Sequence, residues 1–154
     1  MTNTIGIARD FVSSLTGLPA WGFKSGFSTF TTMEFGNVDE LLSSENKTIH
    51  GKWHLWVEMA AWRFLRHGRL IIASDDEETR KIKMIESIAQ IKPVTVSLAE
   101  VGKDVPDLAI TFSDGMRFEA TITSSGPEDR QWTLYTPDRM ALTIYGDGHH
   151  SIGP

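Results

Sequence analysis

The sequence predicts a single α+β domain over residues 1–154. The expected architecture is an antiparallel sheet or partly open barrel of about eight strands, with one amphipathic helix packed on it and a short N-terminal helix. Three observations carry this. Short alternating apolar and polar runs recur along the chain, separated by Gly, Asn, Asp and Pro. One mid-chain segment changes to a helical period behind a strong start signal. The length of 154 residues suits one domain with a sizeable core.

Within residues 1–17, Thr4 is expected to cap a helix over Ile5–Leu15, with Ile7, Phe11 and Leu15 on one face and Gly17 ending it. Ala20–Lys24 reads as extended, Ser25-Gly26 as a turn, and Phe27–Phe35 as a Thr- and Phe-rich strand broken by Gly36-Asn37. Asn37–Ile49 is a polar loop with one helical turn expected at Val38–Leu42.

Gly51–Ser74 holds three of the five tryptophans and the longest nearly uncharged run. With period two, Trp53, Leu55, Val57, Met59 and Ala61 share one face, and His54, Trp56, Glu58, Ala60 and Trp62 the other. Both faces are largely apolar, as in a strand covered on each side. A His67-Gly68 turn then sets Leu65 against Leu70 and Phe64 against Ile71. A helix over Val57–Arg66 is the rival, since Glu, Met, Ala, Leu and Arg form helices well. The hairpin is preferred because Leu70–Ala73 needs a partner strand.

Ser74-Asp75-Asp76-Glu77 matches a capping box, and its acids oppose the positive end of the helix dipole. Ile82, Ile85, Ile88 and Ala89 form the stripe meant for the sheet, and Lys92-Pro93 ends the helix. Thereafter Val94, Val96 and Leu98 point inward. A Ser113-Asp114-Gly115 loop pairs Phe112 with Met116 and Ile110 with Phe118. A Pro137-Asp138-Arg139 loop pairs Leu134 with Leu142 and Trp132 with Ile144, leaving Arg139 where Gly or Asn sits more easily. Residues 146–154 read as a loose tail.

A net charge of −5 with scattered Lys and Arg argues against nucleic-acid and anionic-membrane binding. The absence of cysteine excludes disulfides, a thiol nucleophile and cysteine zinc sites. Neither a signal peptide nor a run of ~18 apolar residues is visible, so the cytoplasm is the expected address. His50 and His54 have a helical metal-ligand spacing, but on a strand four residues part side chains by roughly 13 Å. No third ligand is placed beside them, so neither metal nor cofactor is expected. His149-His150 reads as an exposed tail. Glu34 and Glu58 interrupt apolar strands and need partners if buried; Arg63 and Lys24 are the expected ones. The serines lack a nucleophile elbow, and Gly146-Asp147-Gly148 is not a phosphate loop. Trp53, Trp56, Trp62 and Trp132 are assigned to core packing.

Two segments, WGFKSGFSTFTTMEFG from Trp21 and GKWHLWVEMAAW from Gly51, resemble a widespread set of small bacterial proteins of unassigned activity. Those carry a Trp-x-x-x-x-Gly, Glu-Phe-Gly strand followed by a His-Leu-Trp strand. The later FSDG, QWTL and TPD segments are similar to that set and to some toxin-immunity proteins; Arg139, often Gly in that pattern, departs from it. The resemblance implies a bacterial intracellular protein that neutralises a toxin or otherwise binds protein.

The expected function is therefore binding without catalysis. An immunity-like protein would meet a basic toxin domain through Asp39, Glu40, Glu45 and Asn46 in one loop and Glu128 and Asp129 in another, with salt-sensitive association. The alternative is a small-molecule binder or hydrolase-like enzyme with a cleft of Glu34, His54, Trp56, Glu58 and Trp62. A homodimer completing the sheet is a third reading.

Overall fold

The computed structural model describes residues 3–26, 28–39, 49–89, 93–123 and 126–154. Helix α1 spans Thr4–Ser13 and α2 spans Glu78–Ala89. The strands are β1 Pro19–Ser25, β2 Thr31–Val38, β3 Gly51–Val57, β4 Ala61–Arg66, β5 Arg69–Ala73, β6 Val94–Val101, β7 Leu108–Phe112, β8 Met116–Thr121, β9 Arg130–Tyr135, β10 Ala141–Tyr145 and β11 His150–Gly153. All eleven join one antiparallel sheet in the order β11-β10-β9-β3-β2-β1-β6-β7-β8-β4-β5, three more strands than the expected eight.

One connection dictates the shape of the sheet. Strands β3 and β4 lie six strand steps apart, yet Glu58–Ala60 is all that joins them. Six steps in a flat sheet cover about 29 Å, whereas the chain from Val57 to Ala61 reaches about 14 Å at most. The sheet must therefore curl back on itself. The Glu58 and Met59 N–H groups fasten the crossing by donating to the carbonyls of Gln131 (3.0 Å) and Arg130 (3.1 Å). The curl does not close, because β5 and β11 remain edges.

Inside lie Trp62, Trp132, Phe35, Phe64, Phe118, Met33, Leu55 and Leu134, all essentially inaccessible. The buried indoles satisfy their N–H groups on carbonyls: Trp62 on Thr29 (2.6 Å) and Trp132 on Pro106 (3.0 Å). Helix α1 packs on β6, and α2 packs on β1 and β5.

Residues 57–66 are not helical. The His67-Gly68 hairpin forms as expected, with both residues at positive φ. Leu65 faces Leu70, but Phe64 faces Ile72 rather than Ile71, because a bulge adds a residue to β5. The Phe118–Ile110, Leu134–Leu142 and Trp132–Ile144 pairs form as expected, and Arg139 does sit at φ 65°.

Other expectations fail locally. Asn3, not Thr4, caps α1 by accepting from Gly6 N–H. Gly36-Asn37 does not end β2, which runs on to Val38. Residues 40–48, which include most of the predicted loop and its helical turn, lie outside the described residues. The capping box is displaced: Glu77, not Ser74, accepts from Thr79 (3.0 Å) and Arg80 (3.1 Å) N–H. Those donors hold its carboxyl below the ordinary range. Ser74 turns inward, its hydroxyl accepting from Trp62 N–H. The buried face of α2 is consequently Lys81, Ile85 and Ile88, and Ile82 is largely exposed. In β6 a bulge after Val96 sends Leu98 outward and Ala99 inward. Where a loose tail is expected, His150–Gly153 pairs with β10.

Lys81 is the unexpected core residue, 1 % exposed. Its ammonium donates to the carbonyls of Ser28 and Ser74 and to the Glu78 carboxylate, so all three protons have acceptors. The interaction ties α2 to two loops.

Candidate functional site

Antiparallel register builds the site. Trp21 opposes Glu34, Glu34 opposes His54, and His54 opposes Tyr135, forming one row across β1, β2, β3 and β9. The next row on that face is Lys24, Thr32, Trp56 and Thr133. The intervening residues, Met33, Leu55 and Leu134, point to the core. Alternation thus places an aromatic and ionisable face directly behind the apolar one.

Glu34 is buried at 4 % exposure, and each of its oxygens accepts a hydrogen bond. Oε1 takes the Gly51 N–H at 2.8 Å, and Oε2 takes His54 Nδ1 at 2.5 Å. The other nitrogen of His54, Nε2, meets the indole Nε1 of Trp56. An indole N–H only donates, so Nε2 must accept and the proton belongs on Nδ1. A directed chain results: Trp56 N–H to His54, His54 N–H to Glu34.

Strand irregularity completes the cluster. Between the Phe35–Trp53 and Val38–Gly51 pairs, β2 carries two residues against one on β3, a bulge admitted by Gly36 at φ 79°. A side chain at Gly51 would meet the Phe35 carbonyl oxygen at 2.6 Å, so only glycine lets the strands approach this closely. With the Gly51 N–H directed at Glu34, His50 comes back over the site. The His50 and His54 rings lie 4.8 Å apart between centroids, which corrects the expectation that a strand would hold them at roughly 13 Å. Nδ1 of His50 is buried, 3.5 Å from Glu34 Oε1 but out of hydrogen-bonding geometry, and has no hydrogen-bond partner among the described residues. Gly22, at φ 67°, roofs the carboxylate: a methyl there would come within 2.9 Å of Glu34 Cγ.

Above this floor is an open cleft of about 500 Å³, with Trp21, Phe30 and Trp56 as aromatic walls and Lys24, Thr32 and Ile49 at its sides. Trp21 directs its N–H to the Gly36 carbonyl (2.8 Å), which fixes its ring. Phe30 meets Trp56 edge-on, and Tyr135 packs against both His54 and Trp56. Burial pushes the Tyr135 hydroxyl above its ordinary pKa. Two further surface depressions have similar volumes, about 510 and 570 Å³, but neither has a buried ionisable cluster among its lining residues.

Of the residues expected in a cleft, Glu34, His54 and Trp56 converge. Glu58 and Trp62 do not, because the strand breaks at 58–60 and β4 resumes with Trp62 facing the core. Nor is Arg63 a partner for Glu34, since it pairs with Glu119. Trp56 lines the cleft instead of joining the core. Trp21, Lys24, Phe30, Thr32 and His50 join them beyond the expected set; cross-strand register with β2 brings in Trp21 and Lys24, and Phe30 and Thr32 precede Glu34 at a spacing of two.

Of the acidic candidates, Asp39, Glu128 and Asp129 are among the described residues. Asp39 is buried, 3.8 Å from Arg139 in an ion pair. Asp129 accepts from Gly126 N–H within its own turn, and Glu128 is exposed. Glu40, Glu45 and Asn46 lie outside the described residues. No helix among the described residues is long and apolar enough to cross a membrane. No protein-family model, curated protein or solved structure matches the chain.

Proposed function

We propose that the protein binds a small ring-bearing organic molecule in the cleft between Trp21, Phe30 and Trp56, without transforming it. One observation carries the reading: beneath an open aromatic cleft, both nitrogens of His54 and both oxygens of Glu34 are already engaged. A general base needs a free lone pair within reach of its substrate. Here the indole N–H of Trp56 holds the outer lone pair of His54, so the chain of hydrogen bonds supports positioning rather than proton transfer. The cleft volume falls within the range of small-molecule sites, and flat aromatic walls suit ring stacking. Lys24, exposed at the rim, favours ligands with an anionic substituent. The residues that carry the resemblance to the small bacterial set, Trp21, Glu34, Gly36, His54 and Trp56, also meet here.

Ligand-observed NMR with one- and two-ring aromatic fragments, with and without a carboxylate, tests this. Binding should fall several-fold in Trp56→Ala and Trp21→Ala. Trp53→Ala should leave it unchanged, because Trp53 lies on the opposite face beside Asp10 and Pro137. Fragments that bind all three variants equally, or no binding at all, would contradict the proposal. Toxin neutralisation stands as the second reading, supported by the net charge of −5 and the exposed Glu128.

A further inference from the structure

We infer that the floor of this cleft is a latent site for a divalent transition-metal ion, held by Glu34, His50 and His54, and that Trp56 must leave His54 for the ion to enter. The inference rests on the cleft reading for access alone.

The donor atoms are already close: one ligand atom from each of the three residues lies within 4.8 Å of the others. Bonds of about 2.1 Å in a tetrahedron place two donors about 3.4 Å apart. His50 Nδ1 and Glu34 Oε1, at 3.5 Å, have that spacing. His54 Nδ1 and Glu34 Oε2, at 2.5 Å, are hydrogen-bonded and would have to open by about 1 Å. A second observation is independent of the clustering. His50 Nδ1 is buried, has no hydrogen-bond partner among the described residues and lies 3.5 Å from Glu34 Oε1. Buried nitrogens without a partner are rare, and an ion at this point would satisfy this one. Two imidazoles and a carboxylate suit zinc, cobalt, nickel or iron(II), and the cleft offers room for a fourth ligand.

Proton accounting gives Trp56 its role. Nδ1 of His54 can ligate only after its proton moves to Nε2, so the ring stays neutral and the proton count is unchanged. The new Nε2–H then faces the indole N–H, and two donors cannot share that contact. The Trp56–His54 hydrogen bond and the bound ion therefore exclude each other.

The test is titration of the metal-free full chain with Co²⁺, followed by visible absorbance and tryptophan fluorescence, with Zn²⁺ measured by competition against a chromophoric chelator. One equivalent should bind, and both signals should share a midpoint. His50→Ala and Glu34→Gln should each weaken binding at least about tenfold. Trp56→Phe should tighten it about fivefold, the equivalent of one hydrogen bond no longer broken, and reduce the fluorescence change to what Trp21 contributes. His149→Ala, which removes the exposed His149–Asp147 contact, should change nothing. The inference is overturned by the absence of one-equivalent binding, by weaker binding in Trp56→Phe, or by binding that survives His50→Ala and disappears in His149→Ala. His50→Ala keeps the test decisive if Glu34→Gln fails to fold. Fragment binding by metal-free protein is scored separately, so the failure of either reading is seen without the other.

Discussion

Replacing Lys81 with alanine is expected to lower stability by about 3–5 kcal/mol, the usual cost of breaking a buried charge network from one side. The ammonium reaches two backbone carbonyls and Glu78 from a position with 1 % exposure, so alanine leaves a cavity and two acceptors without donors. Lys81→Met separates these causes. Methionine refills the space of the lysine stem but leaves the same two carbonyls unpaired, so its loss should be smaller, about 2–3 kcal/mol, the low end of the cost of two unpaired acceptors. Urea unfolding midpoints at constant slope measure both. Against a typical total of about 5–15 kcal/mol, either loss is large. A change below about 1 kcal/mol in Lys81→Ala would mean that the ammonium does not tie α2 to these loops.

Glu34→Leu is expected to be the most damaging change at the cleft. Leucine removes the acceptor of both His54 Nδ1–H and Gly51 N–H. Each stranded donor costs about 1–3 kcal/mol, for a loss of about 2–6 kcal/mol. Glu34→Gln keeps one carbonyl oxygen and can satisfy only one of the two, so it should fall between wild type and leucine. Because His54 then loses its orienting partner, Trp56 should loosen too, with its fluorescence emission moving to longer wavelength. Equal stability in the leucine and glutamine variants would contradict the hydrogen-bond account.

The features legible in the sequence were those set by local periodicity and turn chemistry. Phe118 against Ile110 and Leu134 against Leu142 follow from a three-residue loop and a period of two, and both pairs form. What failed depended on long-range geometry. Nothing in residues 58–60 announces that a strand ends there, because the break is required by a sheet curling through six steps. Once it curls, Trp62 belongs to the core and Trp56 to the cleft, although strict alternation puts them on one face. The Ser74 capping box lost to a tertiary demand, the backbone of Trp62. Ile82 and Lys81 exchanged roles for a similar reason, since the interior there supplies carbonyl oxygens and rewards a donor. At the site, Glu34 stands out in the sequence because a carboxylate within an apolar strand needs a partner. Its partner His54 follows from the cross-strand register of β2 and β3, and His50 joins them only through the Gly36 bulge and the close approach at Gly51.

The proton position on His54 tests the central claim most directly. Long-range ¹⁵N–¹H correlation of the histidine rings, at mildly alkaline pH in metal-free protein, should show His54 protonated on Nδ1 with Nε2 bare and accepting from Trp56. Trp56→Phe should leave that proton in place, because Glu34 still holds it. A His54 ring carrying its proton on Nε2 would contradict the account, since the indole would then face a donor and the hydrogen-bonded floor of the cleft could not exist as described.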